Sequence, residues 1–118
     1  MKKILVIDDD ADILDALSLV LESENYRVVT TTKGDQTLNM IKRNMPHLIL
    51  LDVLMSGSDG RVICKKIKKE TKYKKIPIVM ISAHPSAQQG SMECGADAFL
   101  AKPFEIDDLL NTVKKHIL

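Results

Sequence analysis

Tryptophan is absent, and only four aromatic side chains (Tyr26, Tyr73, Phe99 and Phe104) occur in 118 residues. That is too few to build a platform on which nucleic-acid bases stack. Cysteine is nearly as scarce. Cys64 and Cys94 stand far apart, with no CxxC pair and no nearby pair of histidines. This argues against a disulfide framework, fits a reducing compartment, and leaves buried packing as the expected role of both thiols. A dominant charge is missing too: 17 basic against 16 acidic residues leave a net charge of +1, which exerts no global pull toward nucleic acid or a membrane. Long apolar runs are also absent. The opening MKKILVIDD turns acidic after four apolar residues, too few for the core of a signal peptide, and no run approaches the length of a membrane span. The expected setting is the cytoplasm.

What is present is a regular alternation of short apolar runs and amphipathic stretches. The length suits one domain, 1–118, with a real core, and 45% hydrophobic with 28% charged residues is ordinary for a globular protein. Strands are expected at residues 3–7, 26–31, 47–51, 76–81 and 98–101, mostly rich in Ile, Leu and Val, as befits strands buried on both faces. The first helix carries Ile13, Leu14, Leu17, Val20 and Leu21 on one face, with an aspartate before it as cap. Further helices are expected at 35–43, ending before Pro46, at 60–71, and at 106–117. The stretch 86–94, "SAQQGSMEC", has weak periodicity and an internal Gly90. Five strands alternating with five helices predict an α/β fold: a doubly wound parallel sheet with helices on both faces.

In such a fold ligands bind beyond the carboxyl ends of the strands. "ILVIDDDAD" places Asp8, Asp9 and Asp10 at the first of these ends, where three carboxylates repel one another. Asp52 closes "HLILLD", Ser82 follows "IVMI", and Lys102 follows "FLA". Three carboxylates (Asp8, Asp9 and Asp52), one hydroxyl and one ammonium therefore meet on one rim. A hard divalent cation removes the carboxylate conflict. Mg²⁺ takes one or two carboxylates and completes its shell with water and phosphate oxygens. An oxygen of Asp52 is then free to act as a nucleophile toward phosphorus. The cation, Lys102 and Ser82 would account for the three oxygens of an aspartyl phosphate. Asp10 faces solvent or caps the first helix, where the positive end of the dipole favours it.

With these residues in view, the chain resembles the receiver domain of two-component response regulators from its first strand to its last helix. "ILVIDDD", "LILLDVLMSGSDG", "IPIVMISAH" and "GADAFLAKPF" stand in the family's order and spacing. The resemblance implies a five-stranded flavodoxin-like sheet in the order 2-1-3-4-5. It implies a phosphoacceptor at Asp52, and Mg²⁺ (or Mn²⁺) held by Asp9 and Asp52, with Asp8 acting partly through water and the backbone carbonyl of Leu54 completing the protein ligands. Ser82 would be the switch hydroxyl, Phe99 the switch aromatic, Lys102 the phosphoryl-binding lysine, and the Lys102–Pro103 peptide bond cis. The implied function is a phosphorylation-dependent signalling switch that catalyses only its own phosphorylation and dephosphorylation. Its partner would be a histidine kinase or a histidine phosphotransfer protein, with no direct nucleic-acid or membrane contact. Leu54 and His84, two positions after Asp52 and Ser82, would flank the approach of hydrolytic water. The chain would be either a stand-alone regulator or a domain excised from a longer one.

The chain also departs from the family's pattern. Ser56 stands where Pro is common, and Ser82 and Phe99 where Thr and Tyr are more frequent. Ala98 and Thr112 replace an aspartate and an arginine of the winged-helix DNA-binding subfamily, which speaks against that subfamily's dimer interface. Two other classes compete. A phosphohydrolase with Asp8 as nucleophile fits the Asp8–Asp10 spacing, but Asp12 stands where such enzymes carry Thr or Val. An FMN carrier of the same strand order would need a Ser-, Thr- and Gly-rich phosphate loop, and "DDDAD" would repel the phosphate. The eight basic residues from Arg61 to Lys75, opposed only by Glu70, read as a solvated helix face. His47 and His116 lie away from the rim, and Gly57 and Gly60 serve loop conformation.

Overall fold

The computed structural model describes residues 1–84 and 87–118, without the side chains of residues 87–89. Five strands, β1 (Lys3–Ile7), β2 (Arg27–Thr31), β3 (Leu48–Asp52), β4 (Ile78–Ser82) and β5 (Ala98–Ala101), form one parallel sheet. Their order is β2-β1-β3-β4-β5. Parallel neighbours require crossovers, and α1 (Ala11–Ser23), α2 (Thr37–Asn44), α3 (Gly60–Lys69) and α4 (Ala87–Glu93) supply the four of them, while α5 (Ile106–His116) follows the last strand. Because the chain moves outward from β1 to β2 and then returns to β3 on the other side, the topological switch point lies between β1 and β3. A crevice opens there at the carboxyl ends of the strands.

Strand side chains alternate between two cores. Leu5, Ile7, Ile49, Leu51, Ile78 and Met80 face α2, α3 and α4, meeting Ile41, Cys64, Ile67 and Cys94. Ile4, Val6, Leu48, Leu50, Val79 and Ile81 face α1 and α5, meeting Leu14, Leu17, Leu21, Leu109 and Val113. Both cysteines are buried and free, as their isolation in the sequence suggests. Each large aliphatic side chain taken out of water contributes about 1.5–3 kcal/mol, so the two-sided burial of β1, β3 and β4 fixes the strand ends firmly.

Several element edges move by a residue or two from expectation. Pro77 has no N–H to give a ladder, and β4 starts after it at Ile78. His47 stays outside β3 because its Nδ1 accepts a hydrogen bond from the Lys3 backbone N–H at 3.0 Å. A 3₁₀ turn, Gly34–Gln36, precedes α2, so the helix proper starts at Thr37. Helix α3 ends at Lys69 instead of continuing to residue 71. The start expected for the fourth helix, Ser86, lies outside the described residues, and α4 is traced from Ala87 to Glu93. Unforeseen is a two-residue antiparallel ladder, Leu54–Met55 with Ser58–Asp59. It turns through Gly57, whose φ of +77° suits glycine. No helix among the described residues is long and apolar enough to cross a membrane.

Candidate functional site

The three aspartates converge because β1 and β3 are adjacent and end at the same level. Ile7 pairs with Leu51, so Asp8 and Asp9 emerge beside Asp52, the last residue of β3. One carboxylate oxygen from each of Asp8, Asp9 and Asp52 lies within 4.8 Å of the others. Asp8 and Asp52 are almost entirely buried, at 3% and 6% exposure, whereas Asp9 is exposed. From β5, Lys102 reaches across the rim. Its Nζ donates to Asp8 Oδ2 at 3.1 Å and lies 3.8 Å from Asp52 Oδ1. A single ammonium thus faces a cluster of three carboxylates. Burial, and then the charge of Asp8, push the Asp52 carboxyl up from an ordinary 3.8 to about 6. Asp9 adds to the rise, while Lys102 and the Val53 N–H pull the other way.

The rest of the rim holds these groups in place. Asp8 Oδ1 accepts the Asp10 N–H at 2.9 Å, and the Asp8 N–H donates to the carbonyl of Thr31. Asp10 belongs to the helix, not to the cluster: its Oδ1 accepts from the N–H groups of Asp12 and Ile13 and caps α1. Gly60 allows α3 to start directly against β3, since a Cβ there would collide with the carbonyl oxygen of Asp52. Asp59 caps that helix through the Arg61 N–H and also holds the Arg61 guanidinium in a two-point pair. This pair keeps the Asp59 carboxyl below the usual range.

Ser82 ends β4 with 2% exposure, and its Oγ accepts the His84 N–H at 3.1 Å. His84 itself is exposed at the rim. Phe99 is half-buried in β5 beside Met80, packed on the core that faces α2, α3 and α4. The Lys102–Pro103 peptide is cis. Leu54 is 43% exposed just past Asp52. All the residues expected at the rim are therefore on one edge of the sheet.

One contact escaped the sequence. The Ser56 N–H donates to Asp9 Oδ2 at 2.8 Å and ties the loop after β3 to the carboxylate after β1. A proline at this position, common in the resembling family, has no N–H to give. Its signal was the replacement itself: a residue with an amide proton where the pattern has none.

The chain matches known proteins closely in sequence and in fold. The family model described as "Response regulator receiver domain" matches residues 4–114. A protein from Chloroflexus aurantiacus J-10-fl, solved as a candidate response regulator, is 35% identical, with 97% of this chain and 95% of that chain covered and a TM-score of 0.92. The chemotaxis protein CheY4 of Vibrio cholerae is 29% identical over 99% of both chains, with a TM-score of 0.92. NtrX of Brucella abortus is 32% identical, and the match covers 97% of this chain but 27% of that one, with a TM-score of 0.87. A family match over almost the whole length, on a doubly wound sheet with an acidic rim at its switch point, establishes that this chain belongs to the response regulator receiver domain family.

Proposed function

We propose that in this chain Asp52 is the phosphoacceptor, taking a phosphoryl group from a phosphohistidine on a sensor kinase or phosphotransfer protein. The observation that carries this reading is a buried carboxylate at the end of a central strand, flanked by two more carboxylates and one ammonium. An Asp52 oxygen would form the bond to phosphorus as the P–N bond to the donor imidazole breaks, the electron pair staying on the ring. Three carboxylates with one oxygen each within 4.8 Å of the others, and Lys102 alone among the described residues paired with them, fit a hard divalent cation. Asp8, Asp9, Asp52 and the Leu54 carbonyl would hold Mg²⁺, which supplies positive charge to the phosphoryl oxygens when bound.

Lys102 would move its ammonium from Asp8 onto a phosphoryl oxygen, a shift that its 22% side-chain exposure leaves room for. Ser82 would exchange its present bond to the His84 N–H for one donated to the phosphoryl group. Phe99, without a hydroxyl, would change state by packing alone and pass the change to the face of α4, β5 and α5. This is a population shift, in which the phosphorylated rim favours one of two arrangements. For the donor protein, an apolar groove of about 520 Å³ opens beside Lys102, lined by Ile13, Ala16, Val20, Phe104 and Ile106 among others.

The test is incubation with acetyl phosphate and Mg²⁺, followed by intact mass measurement. The parent gains one phosphoryl group and Asp52→Asn gains none. Full labelling of that variant would sink the assignment. Phosphate found on Asp8 would favour a phosphohydrolase-like nucleophile instead.

A further inference from the structure

The near-zero net charge of +1 conceals two opposed faces. On α1 Ala11, Ala16 and Ser23 are exposed, and so are all three acidic residues and one leucine: Asp12, Asp15, Leu19 and Glu22, spaced three or four residues apart and therefore in one stripe along the helix. Within this acidic stripe Leu19 stands 73% exposed, one of the least covered large apolar side chains of the chain. On α3 the exposed positions are Val62, Lys65, Lys66 and Lys69, again one stripe, with Val62 at 53% exposure. Lys72, Lys74 and Lys75 extend it into the following loop. None of these six lysines forms an ion pair with a described residue, whereas Arg61 and Lys68 are occupied by Asp59 and Asp97. The two helices lie on opposite sides of the sheet, since α1 packs on one core and α3 on the other. Each copy thus carries an acidic ridge with an apolar knob on one side and a basic ridge with an apolar knob on the other.

We infer that the α1 stripe of one copy docks on the α3 stripe of a second copy, a head-to-tail self-association steered by charge and seated by Leu19 and Val62. Like ridges repel, so the isologous pairings α1 on α1 and α3 on α3 are disfavoured, and the signs alone select the heterologous pairing. That pairing leaves a free α1 at one end and a free α3 at the other, so assembly does not stop at two copies. The contact uses neither the acidic rim nor the α4–β5–α5 face; on α1 it takes positions beside the donor groove that Ile13, Ala16 and Val20 line, and its test reads association alone, without phosphoryl transfer.

The experiment is sedimentation of the whole chain over a range of protein concentrations and salt. At about 10 mM ionic strength, where charges act over ~30 Å, the weight-average mass should climb with concentration beyond that of two chains. Near 1 M, where the range is ~3 Å, it should return to that of one chain. Reversing one ridge, as Lys65→Glu with Lys69→Glu or Asp15→Lys with Glu22→Lys, should weaken association about tenfold or more. Reversing both ridges in one chain should restore it, because the signs are exchanged together. Leu19→Gln leaves every charge in place and should weaken association about tenfold by removing the seated knob. A single-chain mass at every concentration and salt overturns the inference. So do a plateau at two chains, a doubly reversed chain that stays apart, or a Leu19→Gln protein that associates like the parent.

Discussion

As a buried carboxylate, Asp52 carries a cost of its own in the native protein. Its carboxyl titrates near pH 6 in the native protein but near 3.8 in the unfolded chain. Between those values the native state binds more protons than the unfolded state, so each rise in pH destabilises it, and above pH 6 the loss is complete. Asp52→Asn removes the charge and keeps the shape. In the absence of divalent cations this variant is expected to be more stable than the parent at pH 7.5, by on the order of 2 kcal/mol. The advantage shrinks as the pH falls toward 4. Thermal unfolding with a chelator at pH 4.5 and 7.5 measures it, and an advantage independent of pH would place the strain elsewhere. Leu54, two residues after Asp52, would bear on how long a phosphoryl group survives under the function proposed above. Its exposed aliphatic surface offers no hydrogen bond to a water approaching Asp52. Leu54→Asn supplies one. A gain of about 1.4 kcal/mol in positioning that water is tenfold in rate, so this variant should lose phosphate about tenfold faster after the donor is removed. An unchanged decay would mean that access through position 54 does not set the lifetime.

Among the elements, the sheet and the three central strands were legible because continuous Ile, Leu and Val runs have one stable use, burial on both faces. The rim was legible for a different reason: strand ends converge by topology, so residues far apart in sequence could be placed together without coordinates. What remained hidden are bonds made by backbone groups. Ser56 in place of proline shows that an N–H is there but not that Asp9 accepts it, and no side-chain pattern announces the Leu54–Met55 ladder with Ser58–Asp59. The basic run after Arg61 shows a related limit. Lys68 reads there as one more solvated lysine, yet its Nζ donates to the carbonyls of Lys74 and Ile76 and to Asp97 Oδ2, at 3.1, 2.9 and 2.9 Å. Asp97 Oδ2 also accepts the Ile78 N–H. One ammonium thereby closes the α3–β4 loop and joins it to the start of β5. Lys68→Met keeps the aliphatic stem and removes the charge. Bonds to a charged group are worth about 1.5–3 kcal/mol, so a loss of about 2 kcal/mol in urea unfolding is expected, against little for the neighbouring Lys69→Met. Equal losses at the two positions would show that Lys68 is no clamp.

At the scale of the whole molecule, the acidic rim ties global stability to the ions around it. Asp9 adds to the upward push on Asp52, and its Oδ2 accepts the Ser56 N–H at the rim. Asp9→Asn keeps an oxygen to accept that bond while deleting one of the repelling charges. Without divalent cations, then, the variant should unfold at a higher temperature than the parent at neutral pH. With Mg²⁺ the order should change. An ion that binds the native state alone stabilises it by RT ln(1 + [L]/Kd), about 2.7 kcal/mol at a hundred times Kd. The parent should show that gain as the concentration rises, and a site that has lost a carboxylate should show much less of it. The two opposite shifts in one variant separate a shared cation site from a merely structural aspartate, whose removal would lower stability in both conditions. Unfolding temperatures of parent and Asp9→Asn across an Mg²⁺ titration measure both. If Mg²⁺ raises the variant's midpoint as far as the parent's, the cation is held without Asp9, and the proposed ligand set is wrong.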